Sequence, residues 1–265
     1  MKNKNPFIIA EIASAHQGKY NNVIKIAEAA NKAGADFVKL QIFNLNDLID
    51  KNHKDYSTFK KISINSLEWK KTIKGILKKN IKLIIEPYDL VSLKIATKFK
   101  RISSYKIPAS SLNDEKLIIE ALKNAKKLYL GVGGSNLKEI NNALKLTNSY
   151  PTVEIILVCG IQNFPTQLND SNLWQIKFLK TKFKKEICYA DHMDGAKSDE
   201  ASTIPAIAYL IGANYIEKHI TMNRSKKGYD YYSSLEPKEF KKFVDLLRQI
   251  NILITNKNSW LLSKK

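Results

Sequence analysis

The chain has 265 residues, a formal net charge of +19 and a hydrophobic fraction of 44%. That is enough apolar material for one large α/β domain or two small ones. No apolar run reaches the roughly 18 residues of a membrane span. Met1 to Pro6 leads into Phe7-Ile8-Ile9-Ala10, too short a run for a signal peptide. Cys159 and Cys188 fall inside apolar strand patterns and read as buried free thiols. A cytoplasmic protein without a membrane partner is expected. The lysines are spread through the helix-like segments (Lys70, Lys71, Lys74, Lys78, Lys79; Lys180, Lys182, Lys184, Lys185) and form no arm or tail. Nucleic acid is therefore not an expected partner; bulk charge alone would give only weak, salt-sensitive binding. An anionic substrate would still be drawn in by the field.

In chain order, strand-like runs fall at Phe7–Ser14, Phe37–Phe43, Ile81–Pro87, Ser104–Ala109, Leu128–Val132, Val153–Gly160, Ile187–His192 and Tyr215–Thr221. Segments with helical spacing lie between them, such as Ile24, Ala27, Ala30 and Ala33, or Trp69, Ile73, Ile76 and Leu77. Asn113-Asp114 marks a helix start before Leu117, Ile118, Ala121 and Leu122. Strict alternation implies a parallel sheet. Eight such units in about 250 residues predict an α/β fold, a closed (β/α)₈ TIM barrel. It spans residues 1–255, with 256–265 as a short basic tail expected to fray. An open doubly wound sheet would call for a Gly-rich dinucleotide turn after the first strand, and none is present.

Two connections stand out. Gly131-Val132-Gly133-Gly134-Ser135 reads either as an anion-binding loop whose Ser135 caps the next helix or as an ordinary tight turn. Asn44 to Ser66, with His53 and Tyr56, is too long for a routine connection. It reads as a lid or substrate loop over the active-site end, or as a partner-contacting loop.

A barrel concentrates its chemistry at the C-terminal ends of its strands. The polar residues there are Glu11, Lys39, Gln41, Glu86, Lys106, Asp191, His192, Glu217 and His219. In the last strand, alternation puts Tyr215, Glu217, His219 and Thr221 on one face and Ile216, Lys218 and Ile220 on the other. Two histidines among carboxylates suggest a divalent metal of the Mn²⁺ type. The competing picture is a plug of salt bridges in which Lys39 and Lys106 neutralise Glu11 and Glu217, though a plug needs no histidine pair. Each lysine could form a Schiff base or stay a cation and clamp an anion. The histidines favour the clamp, because metal and imine are alternative ways to activate a carbonyl.

These residues sit in segments that resemble the sialic acid synthase family, including its legionaminate and pseudaminate relatives. The matching segments are Ile9-Ala10-Glu11-Ile12, His16-Gln17-Gly18, Gly34 to Gln41, Lys106-Ile107, Phe164-Pro165-Thr166, Ala190-Asp191-His192, Gly212 to Thr221, Asp230 and Ser234 to Phe240. The resemblance implies condensation of phosphoenolpyruvate with an N-acylated amino sugar, giving a nonulosonic acid and phosphate in surface-glycan biosynthesis. It implies a divalent metal (Mn²⁺ or Mg²⁺) on His192 and His219, Glu11 positioning the sugar, and Lys39 and Lys106 binding phosphoenolpyruvate. It also implies substrate contacts from Gln41, Asn163, Asp191 and Asp230, and a homodimer.

The chain departs from the family pattern in several places. Glu86 stands where a small hydroxyl residue is usual, which puts negative charge near an expected phosphate. Ala109 replaces a serine, the fifth strand ends Gly131-Val132-Gly133, and Tyr231-Tyr232 follows Asp230 in place of a histidine. No equivalent of the family's C-terminal antifreeze-like domain is read in the sequence. A different enol or keto donor, and a non-catalytic homologue, are the alternatives these departures raise.

Overall fold

A computed structural model describes residues 5–255. The tail expected at 256–265 lies outside the described residues. Eight parallel strands follow one another around a closed barrel: β1 (Phe7–Glu11), β2 (Phe37–Ile42), β3 (Leu83–Pro87), β4 (Ser104–Ile107), β5 (Lys127–Gly131), β6 (Glu154–Cys159), β7 (Glu186–Asp191) and β8 (Tyr215–Ile220). Closure comes from β1 pairing with β8, with Glu11 opposite His219. A two-residue strand, β9 (Ser234–Leu235), adds to the end of β8. The expected (β/α)₈ barrel is the observed fold.

The strands read as near-continuous apolar runs because both of their faces are covered. Ile9, Ile84, Tyr129, Ile156, Val158, Cys188, Ala190 and Tyr215 fill the barrel interior. Ile8, Ala10, Val38, Leu40, Ile85 and Ile216 face the helices in a separate, larger cluster. At the N-terminal end, Lys127 Nζ donates to the Tyr215 hydroxyl at 2.8 Å and that hydroxyl donates to Glu154 at 3.0 Å.

The outer ring comprises α1 (Tyr20–Lys32), α4 (Ser66–Lys78), α5 (Leu90–Ala96), α6 (Glu115–Leu122), α7 (Leu137–Thr147), α8 (Trp174–Phe183), α9 (Ser198–Leu210) and α10 (Pro237–Thr255), and the connection after β2 holds α2 (Leu45–Leu48) and α3 (Tyr56–Ile62). Helix α4 shows why the sequence starts a helix there. Asn65 accepts from Glu68 N–H while the Glu68 carboxylate accepts from Asn65 N–H, a reciprocal cap. Trp69, Ile73, Ile76 and Leu77 then turn inward, each fully buried aliphatic contributing about 1.5–3 kcal/mol.

Three connections differ from expectation. The run expected to continue to Ser14 ends at Glu11, because Ala13 has φ 43° and Glu11 Oε1 accepts from Ala13 N–H at 2.6 Å. The Asn44–Ser66 segment is not irregular throughout; it holds α2 and α3. The glycine-rich turn after β5 is capped by Asn136, which accepts from Lys138 and Glu139 N–H, and not by Ser135. Its glycines are required by close packing: a Cβ on Gly131 would lie 2.5 Å from Ala109 N, and one on Gly133 2.5 Å from the Gly160 carbonyl oxygen.

Candidate active site

The strand ends converge on a cavity of about 520 Å³. Of the residues singled out in the sequence, Glu11, Lys39, Gln41, Glu86, Lys106, His192, Glu217, His219 and Asp230 line it. Alternation along the strands explains this convergence. Glu217 and His219 share the face of Tyr215, which points into the barrel, while Ile216 and Ile220 pack outward.

One wall is an ion network. Lys39 Nζ lies 2.6 Å from Glu86 and 2.8 Å from Glu217, and also meets Glu11. Lys106 Nζ lies 3.0 Å from Glu217 and 3.4 Å from Glu86. The salt-bridge plug considered from sequence therefore exists, with Glu86 as an additional member, and it coexists with the histidine pair. Burial acts to raise the Glu217 pKa, but Lys106 and Lys39 outweigh it and hold the carboxyl well below its usual range. Burial acts to lower Lys106, and Glu217 and Glu86 reverse this so that its ammonium is held above the usual value. Lys39 is shifted down, mainly by burial. A cationic Lys106 suits an anion clamp better than a Schiff base.

The opposite wall carries the histidines. Their ring centroids are 5.3 Å apart, and Phe164 packs 4.4 Å from His192 and 6.1 Å from His219. His192 Nδ1 is 2.7 Å from the Ile161 carbonyl, which fixes that nitrogen as the N–H donor and leaves Nε2 with its lone pair. His219 Nδ1 is buried without a hydrogen-bond partner. Burial lowers both pKa values, and His192 lowers that of His219 further, so both rings are neutral at neutral pH.

Two neutral imidazoles facing one another, one with an orphaned nitrogen, are chemically suited to a borderline divalent cation. Among the described residues no group of three or more His, Cys, Asp or Glu side chains is arranged to hold a metal ion. The imidazole nitrogens of His192 and His219 are the donors that such a cation would find here.

Two expected substrate contacts do not reach the cavity. Asp191 is completely buried against Lys218, which also donates to the Met193 carbonyl at 3.2 Å. The reason is strand geometry: His192 points into the barrel, so its neighbour Asp191 points towards the helices. Asn163 is exposed, and Gln162 lines the cavity in its place. Asp230 does line it. Its Oδ2 accepts from Ser14 N–H at 2.7 Å, and burial raises its pKa.

The sequence reading passed over Ser14, Tyr88, Gln162, Phe164 and Tyr229 as lining residues. Tyr88 directly follows β3 and carries a recognisable strand-end signal. Gln162, Phe164 and Tyr229 sit on long connections after β6 and β8, where no periodicity marks them. The Asn44–Ser66 segment does reach over the cavity, through Thr58, Phe59 and Ile62, whereas His53 and Tyr56 do not line it.

The profile of the NeuB family matches residues 26–259. The chain belongs to the NeuB family. It is 31% identical to an uncharacterized protein of Methanocaldococcus jannaschii, over 96% of this chain and 73% of that one. It is 30% identical to the N,N'-diacetyllegionaminic acid synthase of Campylobacter jejuni, over 93% of this chain and 77% of the relative. The crystal structure of the N-acetylneuraminic acid synthetase of Leptospira borgpetersenii superposes with a TM-score of 0.86 at 27% identity, covering 97% of this chain and 87% of that one. The NeuB-family barrel thus carries two contrasting walls: a saturated lysine–glutamate network and a neutral histidine pair. No helix among the described residues is long and apolar enough to cross a membrane.

Proposed function

We propose that this chain is a carbon–carbon bond-forming synthase that condenses a three-carbon enol acid with the aldehyde of an N-acylated amino sugar. The product is a nonulosonic acid. The donor is phosphoenolpyruvate: its C3 bonds to the aldehyde carbon, a water adds at C2, and the phosphate group leaves as inorganic phosphate. The named relatives support the reaction class. The observation that carries the reading is the convergence of two neutral imidazoles and two buried lysines on one cavity.

His192 and His219 would hold a divalent cation, Mn²⁺ or Mg²⁺, which as a Lewis acid polarises the aldehyde oxygen. The chain's own groups do the rest. Lys39 and Lys106 supply positive charge for the donor's anionic groups. Glu11, fixed by Ala13 N–H, and Asp230, fixed by Ser14 N–H, present carboxyl oxygens to sugar hydroxyls. Phe164 covers the histidines and limits water there.

The test is removal of each imidazole. His192→Ala and His219→Ala are expected to lower Mn²⁺ affinity at least about tenfold and to abolish turnover, with the fold retained by circular dichroism. Wild-type turnover in both variants would overturn the assignment. A second reading, an enol or keto donor without phosphate, is favoured by one observation, the contact of Glu86 with both lysines.

A further inference from the structure

Lys39 and Lys106 are the Lys or Arg side chains that line the cavity, and both are already engaged by the protein. Glu86 Oε2 lies 2.6 Å from Lys39 Nζ and Glu86 Oε1 lies 3.4 Å from Lys106 Nζ. One carboxylate thus spans both ammonium groups, an oxygen to each, as an incoming anion would. Glu217 bridges the same two lysines and holds Lys106 more closely, so Glu86, at 3.4 Å from Lys106, is the looser of the two bridges, while Glu11 meets Lys39. Glu11 is also tied to the backbone through Ala13 N–H at 2.6 Å. Glu217 accepts from Lys39 at 2.8 Å and from Lys106 at 3.0 and 3.2 Å. Beyond the two lysines, the hydrogen bond given to the Glu86 carboxylate comes from a neutral side chain, Gln41 Nε2 at 3.2 Å.

Charge counting sharpens the point. Glu11, Glu86 and Glu217 contribute three negative charges and Lys39 and Lys106 two positive ones, so the network carries 2 − 3 = −1 before any ligand enters. Without the Glu86 charge the sum is 2 − 2 = 0. An anion that approaches the lysines meets a net negative wall, in a region shielded from water where charges interact strongly.

We infer that Glu86 is a built-in competitor of the donor's anionic group for Lys39 and Lys106, and so a residue that sets which donor this chain accepts. Donors that carry a phosphate must displace the Glu86 carboxylate, and their affinity is reduced accordingly. Naming that anion a donor rests on the condensation reading above.

Calorimetric titration of inorganic phosphate and of phosphoenolpyruvate into the full chain tests this, comparing wild type with Glu86→Gln. Glu86→Gln is expected to bind both about tenfold more tightly. A gain of less than threefold, or a loss, overturns the inference. Should Glu86→Gln fail to fold, Glu86→Thr takes its place. Independently, a wild-type crystal soaked in phosphoenolpyruvate should show Glu86 swung away wherever the anion holds the lysines. An anion on both lysines with Glu86 unmoved overturns the inference, as does the absence of anion binding in wild type and variants alike. Condensation is assayed separately. A chain whose phosphate affinity rises in Glu86→Gln but which makes no sugar acid overturns the reaction and leaves the role of Glu86 standing. Turnover of phosphoenolpyruvate with unchanged affinity in Glu86→Gln does the reverse.

Discussion

The two walls of the cavity are built on opposite electrostatic plans. On the β2–β4 side, with Glu217 reaching across, each buried charge has at least one opposite partner, and both lysines are engaged by the protein itself. On the β7–β8 side the two imidazoles are neutral, and one ring nitrogen lacks any partner. Buried polar groups are normally satisfied, and a buried exception calls for an explanation such as an ion or a ligand. The histidine wall holds neutral rings outside the lysine–glutamate network, while the lysine wall must give up an internal partner to bind an anion.

Asp191 offers the sharpest way to break this contrast, because it adjoins His192 in sequence yet belongs to neither wall. It pairs with Lys218 outside the barrel interior, both fully buried. Asp191→Asn leaves an unpaired buried ammonium and is expected to cost about 3–5 kcal/mol, measured by urea unfolding. Its donor KM should stay near the wild-type value. A raised KM with unchanged stability would return Asp191 to the substrate site.

Acid should act by a smaller amount, on the buried histidines, including His16 outside both walls, before the lysine wall. His16, His192 and His219 have pKa values lowered by burial, His16 to about 4. Below about 6.5 the unfolded chain takes up protons that the folded histidines refuse, so stability falls as pH falls. For His16 the loss between pH 7 and pH 5 is about 2 kcal/mol, and it continues until pH reaches about 4. Glu217, depressed by its lysines, holds its contribution until pH falls below the usual carboxylate range. Urea midpoints at pH 7 and pH 5 check this, and His16→Gln should flatten part of the slope. A midpoint that rises on acidification would contradict the burial of neutral rings.

The fold was legible because β/α alternation and helical periodicity repeat along the whole chain, and each repeat supports the next. The strand-end residues of the site were legible for the same reason: once β8 is a barrel strand, Glu217 and His219 must share the face of Tyr215. The same rule, applied to β7, would have sent Asp191 outward, but the adjacency of Asp191 and His192 in the matching motif obscured it. Gln162, Phe164 and Tyr229 were hidden for a different reason. They lie on connections whose path is set by tertiary contacts, such as Thr166 N–H to the His192 carbonyl at 2.9 Å, and no periodicity encodes them, although Phe164 falls in the matching segment Phe164-Pro165-Thr166. The charge of Glu86 was visible in the sequence. Its span across both lysines depends on the register that sets Gln41 beside Glu86, and that required the structure.

The most direct test of the central claim is a product measurement. The Mn²⁺-loaded chain is incubated with phosphoenolpyruvate and an N-acylated amino sugar, and phosphate and 2-keto sugar acid are quantified together. The account predicts equal amounts of both, and neither in His219→Ala. Folded, metal-loaded protein that yields no sugar acid from any N-acylated amino sugar supplied would contradict it.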